Sequence, residues 1–280
     1  MAPSIDTLTS PTLKYLRERW WNDDFTDFLA ETLRPRPGNR ILDVGCGEGT
    51  AEVRIGRLHV SQMRMVGIDL MIERLMVARR QTAGHNLRVA YATADACRLP
   101  FRDGAFDSTF CVAVLQHIAD VEAAISEFAR VTATGGRIVA VEPDNAARSL
   151  YSSSAAGKDA FDVSNRFFAA LTAARGDESD AAVGPKLPTL FVRHAIDPLN
   201  VRLFPVSFVQ LGRPAAEVWA RRRAIAEESV ETAATDSVRE LGLEYLEALD
   251  RYSRAAAAEG SGFVEIQNTM LFGTVGQKRD

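Results

Sequence analysis

The chain has 280 residues, 46% of them hydrophobic and 25% charged, and a net charge of −4. This length supports a core without disulfide or metal staples, and the charge offers no basic face to a nucleic-acid backbone. Cys46, Cys97 and Cys111 fit no disulfide framework, zinc site or iron–sulfur spacing. No apolar run approaches the ~20 residues of a bilayer span, and the N-terminus lacks the basic-then-apolar pattern of a secretory signal. The expectation is a cytoplasmic protein with no bound metal and neither nucleic acid nor membrane as partner.

Residues 12–33 read as helical with a break near Asn22 to Asp24, because Leu13, Leu16, Trp20, Phe25, Phe28, Leu29 and Leu33 recur at helical spacing. Strands and helices then alternate. The expected strands are Arg40 to Val44, Met65 to Asp69, Leu87 to Thr93, Phe106 to Leu115 and Arg137 to Val141. Between them lie helices from Thr50 to His59, from Met71 to Ala83, and from Val121 to the Gly135-Gly136 pair, the last with Asp120 as N-cap. Such alternation predicts parallel βαβ units with helices on both sheet faces. Residues 144–183 read as loops with short helices, and Leu187 to Ala195 as a helix. Asn200 to Leu211 and Phe263 to Val275 are strand-like runs separated by helical stretches at 214–228 and 236–258.

The segment Leu42 to Thr50, LDVGCGEGT, takes a strand through a glycine-rich turn into a helix. Gly45 and Gly47 carry no Cβ, so a ligand can approach the backbone closely. Thr50 stands where a dinucleotide fingerprint would have its third glycine. Asp69, 24 residues after Gly45 at the end of the second strand, is placed to reach the two hydroxyls of a nucleoside ribose. Its other reading is a cap for the helix starting near Met71. Further stretches follow at TADACRLPF (93–101), FDSTFCVAVLQHI (106–118) and TATGGRIVAVEP (132–143).

In order and spacing, these motifs resemble the class I S-adenosylmethionine-dependent methyltransferases, especially the methyltransferase type 11 group with the ubiquinone/menaquinone methyltransferases. The resemblance covers residues 38–143. It implies an α/β, doubly wound, seven-stranded sheet of order 3-2-1-4-5-7-6 with strand seven antiparallel and helical lid additions. It implies S-adenosylmethionine as cofactor, with Gly45 and Gly47 at its methionine end, Asp69 at the ribose, and Asp95 with Ala96 at the adenine. Asp43, Cys46, Leu70, Cys111 and Val112 complete the expected cofactor contacts. The chain departs from the family in placing about 50 mostly helical residues between strands six and seven, where a short hairpin is common.

The domain expectation is an N-terminal helical lid segment at 1–37, a cofactor-binding core at 38–143 and a lid insertion at 144–184. A core helix with strand six follows at 185–212, a helical insertion at 213–260, and strand seven with the C-terminus at 261–280. The chemistry expected is in-line methyl transfer to a small molecule, in which positioning supplies most of the rate. A base is needed only if the acceptor must lose a proton. His117, just past strand four, is the candidate base; its other reading is packing or capping. Tyr15, Arg19, Trp21, Arg148 and Tyr151 are the candidate acceptor-binding residues. A homodimer through the insertion is the alternative to a lid. The rival functions are a non-catalytic S-adenosylmethionine-binding protein and a nicotinamide-dependent oxidoreductase. A nucleic-acid amino-methyltransferase is disfavoured because CVAVLQH lacks the Pro-Pro tetrad expected after strand four.

Overall fold

A computed structural model describes residues 20–56, 63–85, 87–174 and 179–280. The expectations for Tyr15, Arg19 and His59 fall outside the described residues. The chain divides into two compact units. One comprises the described part of Met1–Ala146 with Ser179–Phe204 and Met270–Asp280, and the other the described part of Ala147–Glu178 with Pro205–Thr269.

In the first unit, α1 (Asp23–Leu33) starts where Asn22 accepts a hydrogen bond from the Phe25 N–H, and it buries Phe25, Phe28, Leu29 and Leu33. β1 (Arg40–Val44), α2 (Thr50–Gly56), β2 (Arg64–Asp69), α3 (Ile72–Gly84) and β3 (Val89–Thr93) follow. β4 (Phe106–Val112) leads through a 3-10 turn, Leu115–His117, to α4 (Val121–Val131), which the Asp120 carboxylate caps at the Ala123 N–H. β5 (Thr132–Ser152) begins in this unit, which also holds α6 (Leu187–Arg193), the start of β6 (Ile196–Leu211) and the end of β7 (Val264–Lys278).

The strands form one sheet of order β3-β2-β1-β4-β5-β7-β6. Parallel pairing sets Leu42 beside Val66 and Thr109, Val66 beside Ala90, and Thr109 beside Ile138. β7 runs antiparallel: Gln277 near its end reaches the Gly135 carbonyl near the start of β5, and the Ser153 N–H just past β5 donates to the Val264 carbonyl at the start of β7. β6 is antiparallel to β7 by the same logic, through Arg279 N–H to Ala195 carbonyl and Gly212 N–H to Phe263 carbonyl. It therefore points the same way as β5. The sheet and its flanking helices bury Leu42, Val44, Phe128 and Val131 in one continuous apolar cluster. Each such side chain contributes roughly 1.5–3 kcal/mol by leaving water.

Two expectations are corrected. The helix before β5 ends at Val131, not at Gly135-Gly136. The Thr132 hydroxyl turns back to the Phe128 carbonyl at 2.6 Å and bonds Thr109 Oγ1 at 2.8 Å. The glycine pair instead absorbs an irregularity inside the strand. Phe106 faces Thr132 while Ser108 faces Arg137, so β5 carries three extra residues there, and Gly135 takes a φ of +73°. The second correction is that 144–183 is not loops with short helices. β5 runs on to Ser152, and α5 (Ala155–Ala174) is a single 20-residue helix.

In the second unit, α5 is joined by α7 (Ala216–Glu231) and α8 (Asp236–Glu259). Ala160 and Val163 of α5 pack with Ala248, Tyr252 and Phe263, and Phe167 and Leu171 with Val230 and Val238. Glu265 of β7, fully buried, is held by both Nη atoms of Arg222 at 2.9 and 2.5 Å and by the Tyr252 hydroxyl at 2.5 Å.

Candidate functional site

A cleft of about 540 Å³ lies in the first unit, lined by residues that follow the carboxyl ends of β1, β2, β3 and β4. Open α/β sheets place ligands at this edge, where successive loops diverge. Its walls include Asp43 and the glycine turn after β1, Asp69 to Met71 after β2, and Ala94 to Ala96 after β3. Val112 to Val114, His117 and Ile118 contribute after β4, and Trp20 and Trp21 before α1.

The turn is shaped by its glycines. Gly45 and Gly47 sit at φ of +72° and +56°, where a side chain is strained. A Cβ on Gly45 would stand 2.4 Å from Val114 Cγ2. At Gly47 it would meet Arg74 Nη2 at 2.3 Å, so the nearest neighbour on that side is the Arg74 guanidinium. The Cys46 N–H donates to the Ile68 carbonyl at 2.8 Å, tying the turn to β2.

Asp69, 6% exposed, accepts from the Gly47 N–H through Oδ2 and from the Met71 N–H through Oδ1, both at 2.9 Å. Arg74 Nη1 approaches Oδ2 at 3.6 Å. One carboxylate thus couples the glycine turn to the entry of α3. Each oxygen accepts one backbone N–H and keeps capacity for another donor, such as a ligand hydroxyl. Asp95 accepts from the Cys97 N–H at 2.8 Å, which fixes the turn after β3 with its residues at the cleft.

Among the residues expected to contact the cofactor, the structure brings Asp43, Gly45, Cys46, Asp69, Leu70, Asp95, Ala96 and Val112 to the cleft wall. Gly47 stands beside it through its bond to Asp69. Cys111 is fully buried, with Sγ donating to Glu142 Oε1, and does not line the cleft. His117 and Trp21 line it, Trp21 packing edge-on to Phe25 at 4.9 Å between ring centres. Arg148 and Tyr151 lie on the part of β5 belonging to the second unit. Both are exposed, and Arg148 Cζ sits 5.9 Å from the centre of the Phe161 ring.

Three residues that the motif reading did not single out shape the site. Glu142, fully buried at the end of the apolar run of β5, accepts from the Val114 and Leu115 N–H groups at 2.8 Å and from Gln116 N–H at 3.3 Å. It thereby fastens the turn that carries Val114, His117 and Ile118. Burial pushes its carboxyl up to about 7, against the pull of those three donors. Its signal was an acid inside an apolar strand. Arg74 lies in the first turn of α3, five residues past Asp69. Glu52, on α2, is fully buried. Burial lifts Asp43 well above the usual carboxylate range, with the Glu52 and Asp69 charges adding to the effect, and it raises the Cys46 thiol in the same way.

Carboxylate acceptors stand at Asp43, Asp69 and Asp95 at separate points along one cleft, with Arg54 and Arg74 also on its wall. That suits an elongated ligand bearing a positive centre, a diol and a base amine. The volume falls within the roughly 300–1,000 Å³ of small-molecule sites.

This is the sheet order and cleft position of the class I methyltransferases. Residues 42–140 match the family described as methyltransferase domain, about a third of the chain. A demethylmenaquinone methyltransferase of Thermus thermophilus is 33% identical over 142 residues, covering 51% of this chain and 62% of that protein. Among solved structures, a Bacillus halodurans C-125 protein described as a candidate methyltransferase aligns with a TM-score of 0.58 at 18% identity, covering 92% of this chain and all of that one. Phosphoethanolamine N-methyltransferase 2 of Haemonchus contortus, solved with S-adenosyl-L-methionine, aligns with a TM-score of 0.52 at 16% identity, covering 98% of this chain and 60% of that one. The chain spans between about a third and two thirds of the length of the curated relatives it matches. No helix among the described residues is long and apolar enough to cross a membrane.

Proposed function

We propose that this chain is an S-adenosylmethionine-dependent methyltransferase acting on a small molecule. The observation that carries the reading is the convergence on one cleft of the Gly45–Gly47 turn, Asp69 and Asp95. These positions come from three separate strand ends of a methyltransferase-type sheet. Gly45 and Gly47 would admit the methionine moiety, Asp69 the ribose hydroxyls, and Asp95 with the Ala96 N–H the adenine. Leu70, 59% exposed at the cleft, would cover an apolar face of the base.

When bound, the cofactor supplies an electrophilic methyl on a sulfonium. The residues of this chain hold, orient and exclude water. The Glu142 carboxylate fixes the turn behind the reacting edge, and Trp20 and Trp21 cover it with apolar surface. His117, on that turn, would take a proton from a hydroxyl or protonated amine acceptor. A thiolate or neutral amine would need no base. The similarity to a quinone methyltransferase supports a small-molecule acceptor, and the charge supports neither nucleic acid nor an anionic membrane; the cytoplasm is the proposed compartment.

Calorimetric titration with S-adenosylmethionine, followed by a screen of metabolite extracts for transfer of labelled methyl, tests the reading. Absence of cofactor binding removes it. Binding without transfer to any acceptor favours a non-catalytic binding protein. Arg148 and Tyr151 are proposed to bind the acceptor. Hydrogen exchange in residues 214–258 should then slow when product cofactor and acceptor are added. Exchange that responds only to protein concentration would assign that segment to a dimer instead.

A further inference from the structure

Beneath the glycine turn, the unit that holds the cleft buries more acid than it neutralises. Glu52 of α2 has no exposed surface, and its carboxyl oxygens make no hydrogen bond of good geometry, the polar side chains that act on it being Asp43 and Cys46. Asp43 of β1, 2% exposed, lines the cleft. Gly67 of β2 packs closely against this carboxyl. A Cβ there would lie 2.5 Å from Glu52 Oε1, 2.7 Å from Tyr91 Cε1 and 2.9 Å from Cys46 Sγ. The missing side chain makes the space that the Glu52 carboxyl occupies.

The titratable and charged groups in and around the cluster of Glu52, Asp43 and Cys46 come from several elements. They are Asp43 from β1, Cys46 from the turn, Tyr91 from β3, Asp69 from the end of β2 and Arg74 from α3. Arg74 is the one cation in that set, and its guanidinium is directed to Asp69. The Tyr91 hydroxyl and Arg74 Nε are buried without partners. Among the described residues, no group of three or more His, Cys, Asp or Glu side chains is placed to hold a metal ion.

Glu52 and Asp43, 0% and 2% exposed, cannot both ionise side by side without a large cost, so one of them keeps its proton. Burial lifts Glu52 to about 7, and Asp43 is lifted by burial first and by the Glu52 charge second. Asp43 stands opposite Gly67 in the β1–β2 register, and Gly67 faces the Glu52 carboxyl, so the two acids meet at that glycine and share the proton.

We propose that Asp43 and Glu52 hold one proton between them in the ligand-free protein and release it when a cation enters the cleft, so that the pair senses ligand charge. This rests on the cofactor reading above and goes beyond it. S-adenosylmethionine carries a net charge of about +1, its sulfonium added to a zwitterionic amino acid, whereas the thioether left after methyl loss is neutral. A second negative charge on the pair strengthens attraction to the cofactor and does little for the product. Glu52 does not line the cleft. It acts through Asp43 as a positioning residue.

The test counts protons. Calorimetric titrations at about pH 6.5, run in two buffers of different ionisation enthalpy, give the protons released per ligand bound. The wild-type chain should release close to one proton with S-adenosylmethionine and less than about half of that with S-adenosylhomocysteine. Its affinity for the cation should rise by up to about tenfold per pH unit below about pH 7. Glu52→Gln should lower the count and flatten that pH dependence. Cofactor binding without proton release, equal release with both ligands, or an unchanged count in Glu52→Gln overturns the proposal alone. Failure of either ligand to bind wild-type protein removes the cofactor reading and the proposal together. The comparison of the two ligands needs no variant, so a poorly folding Glu52→Gln leaves the test decisive.

Discussion

Replacing Glu142 by alanine removes a single carboxylate that three backbone N–H groups share. Val114 and Leu115 both donate to Oε1 at 2.8 Å, and Gln116 donates to Oε2 at 3.3 Å. A buried N–H left unpaired costs about 1–3 kcal/mol. The turn borders the cleft, so water can rescue part of the loss, and the expected destabilisation is about 3–5 kcal/mol. Glu142→Gln is the informative companion. Its amide oxygen can keep the two short bonds, while its NH2 group meets the Gln116 N–H donor to donor, which lowers the cost to about 1 kcal/mol. Urea unfolding at about pH 7.5, followed by tryptophan fluorescence, reads both values. S-adenosylmethionine affinity should fall in the same order, because the freed turn carries Val114, His117 and Ile118 of the cleft wall. An alanine variant that loses less than about 1 kcal/mol, or no more than the glutamine variant, would refute the claim that this carboxylate fastens the turn.

Asp69→Ala should weaken S-adenosylmethionine binding by roughly 1–3 kcal/mol, since the proposed ribose contact would lose a charged acceptor that is itself nearly buried. Because Asp69 also holds the Gly47 and Met71 N–H groups, Asp69→Asn should be milder, and unchanged affinity in a folded alanine variant rules out the ribose role. His117→Ala should cut kcat by about 10²–10⁴-fold with cofactor affinity nearly intact if the acceptor must be deprotonated. A loss below about threefold shows that the histidine only lines the cleft. Glu52→Gln should stabilise the cofactor-free protein more at pH 8 than at pH 5. The folded-state pKa of about 7 lies above the ordinary 4.5, so the stabilising proton is fully present below 4.5 and lost as pH rises through 7. Thermal melts of both proteins at the two pH values check this, and equal differences at both would show that Glu52 is not desolvated.

Most of the cleft edge was legible in sequence because it is built from local units. Each strand–turn–helix repeat places its turn at the carboxyl end of a strand, and glycine or aspartate in that turn has a purpose readable from backbone geometry alone. Gly45, Asp69 and Asp95 therefore reach one cleft although 50 residues separate the first from the last. Cys111 shows where that reasoning stops. Alternation along β4 turns it inward, and only Val112 faces the ligand edge.

What the amino-acid order determined by itself was the alternation of strands and helices, the glycine turn and the acids that follow strands two and three, since all rest on periodicity and short-range stereochemistry. Only the tertiary structure decided that Gly135-Gly136 is a bulge within β5 rather than a helix end, because the choice depends on register against Phe106 and Ser108. The same holds for α5, whose alanine-rich sequence is a weak helical signal until Phe167 and Leu171 meet Val230 and Val238. It holds as well for the two buried glutamates. A carboxyl group loses its water only when distant segments close around it: Glu142 then gains three N–H donors from the turn after β4, while Glu52 gains none beside Gly67. Burial and partnership are properties of segments brought together by the fold, and no local pattern encodes them.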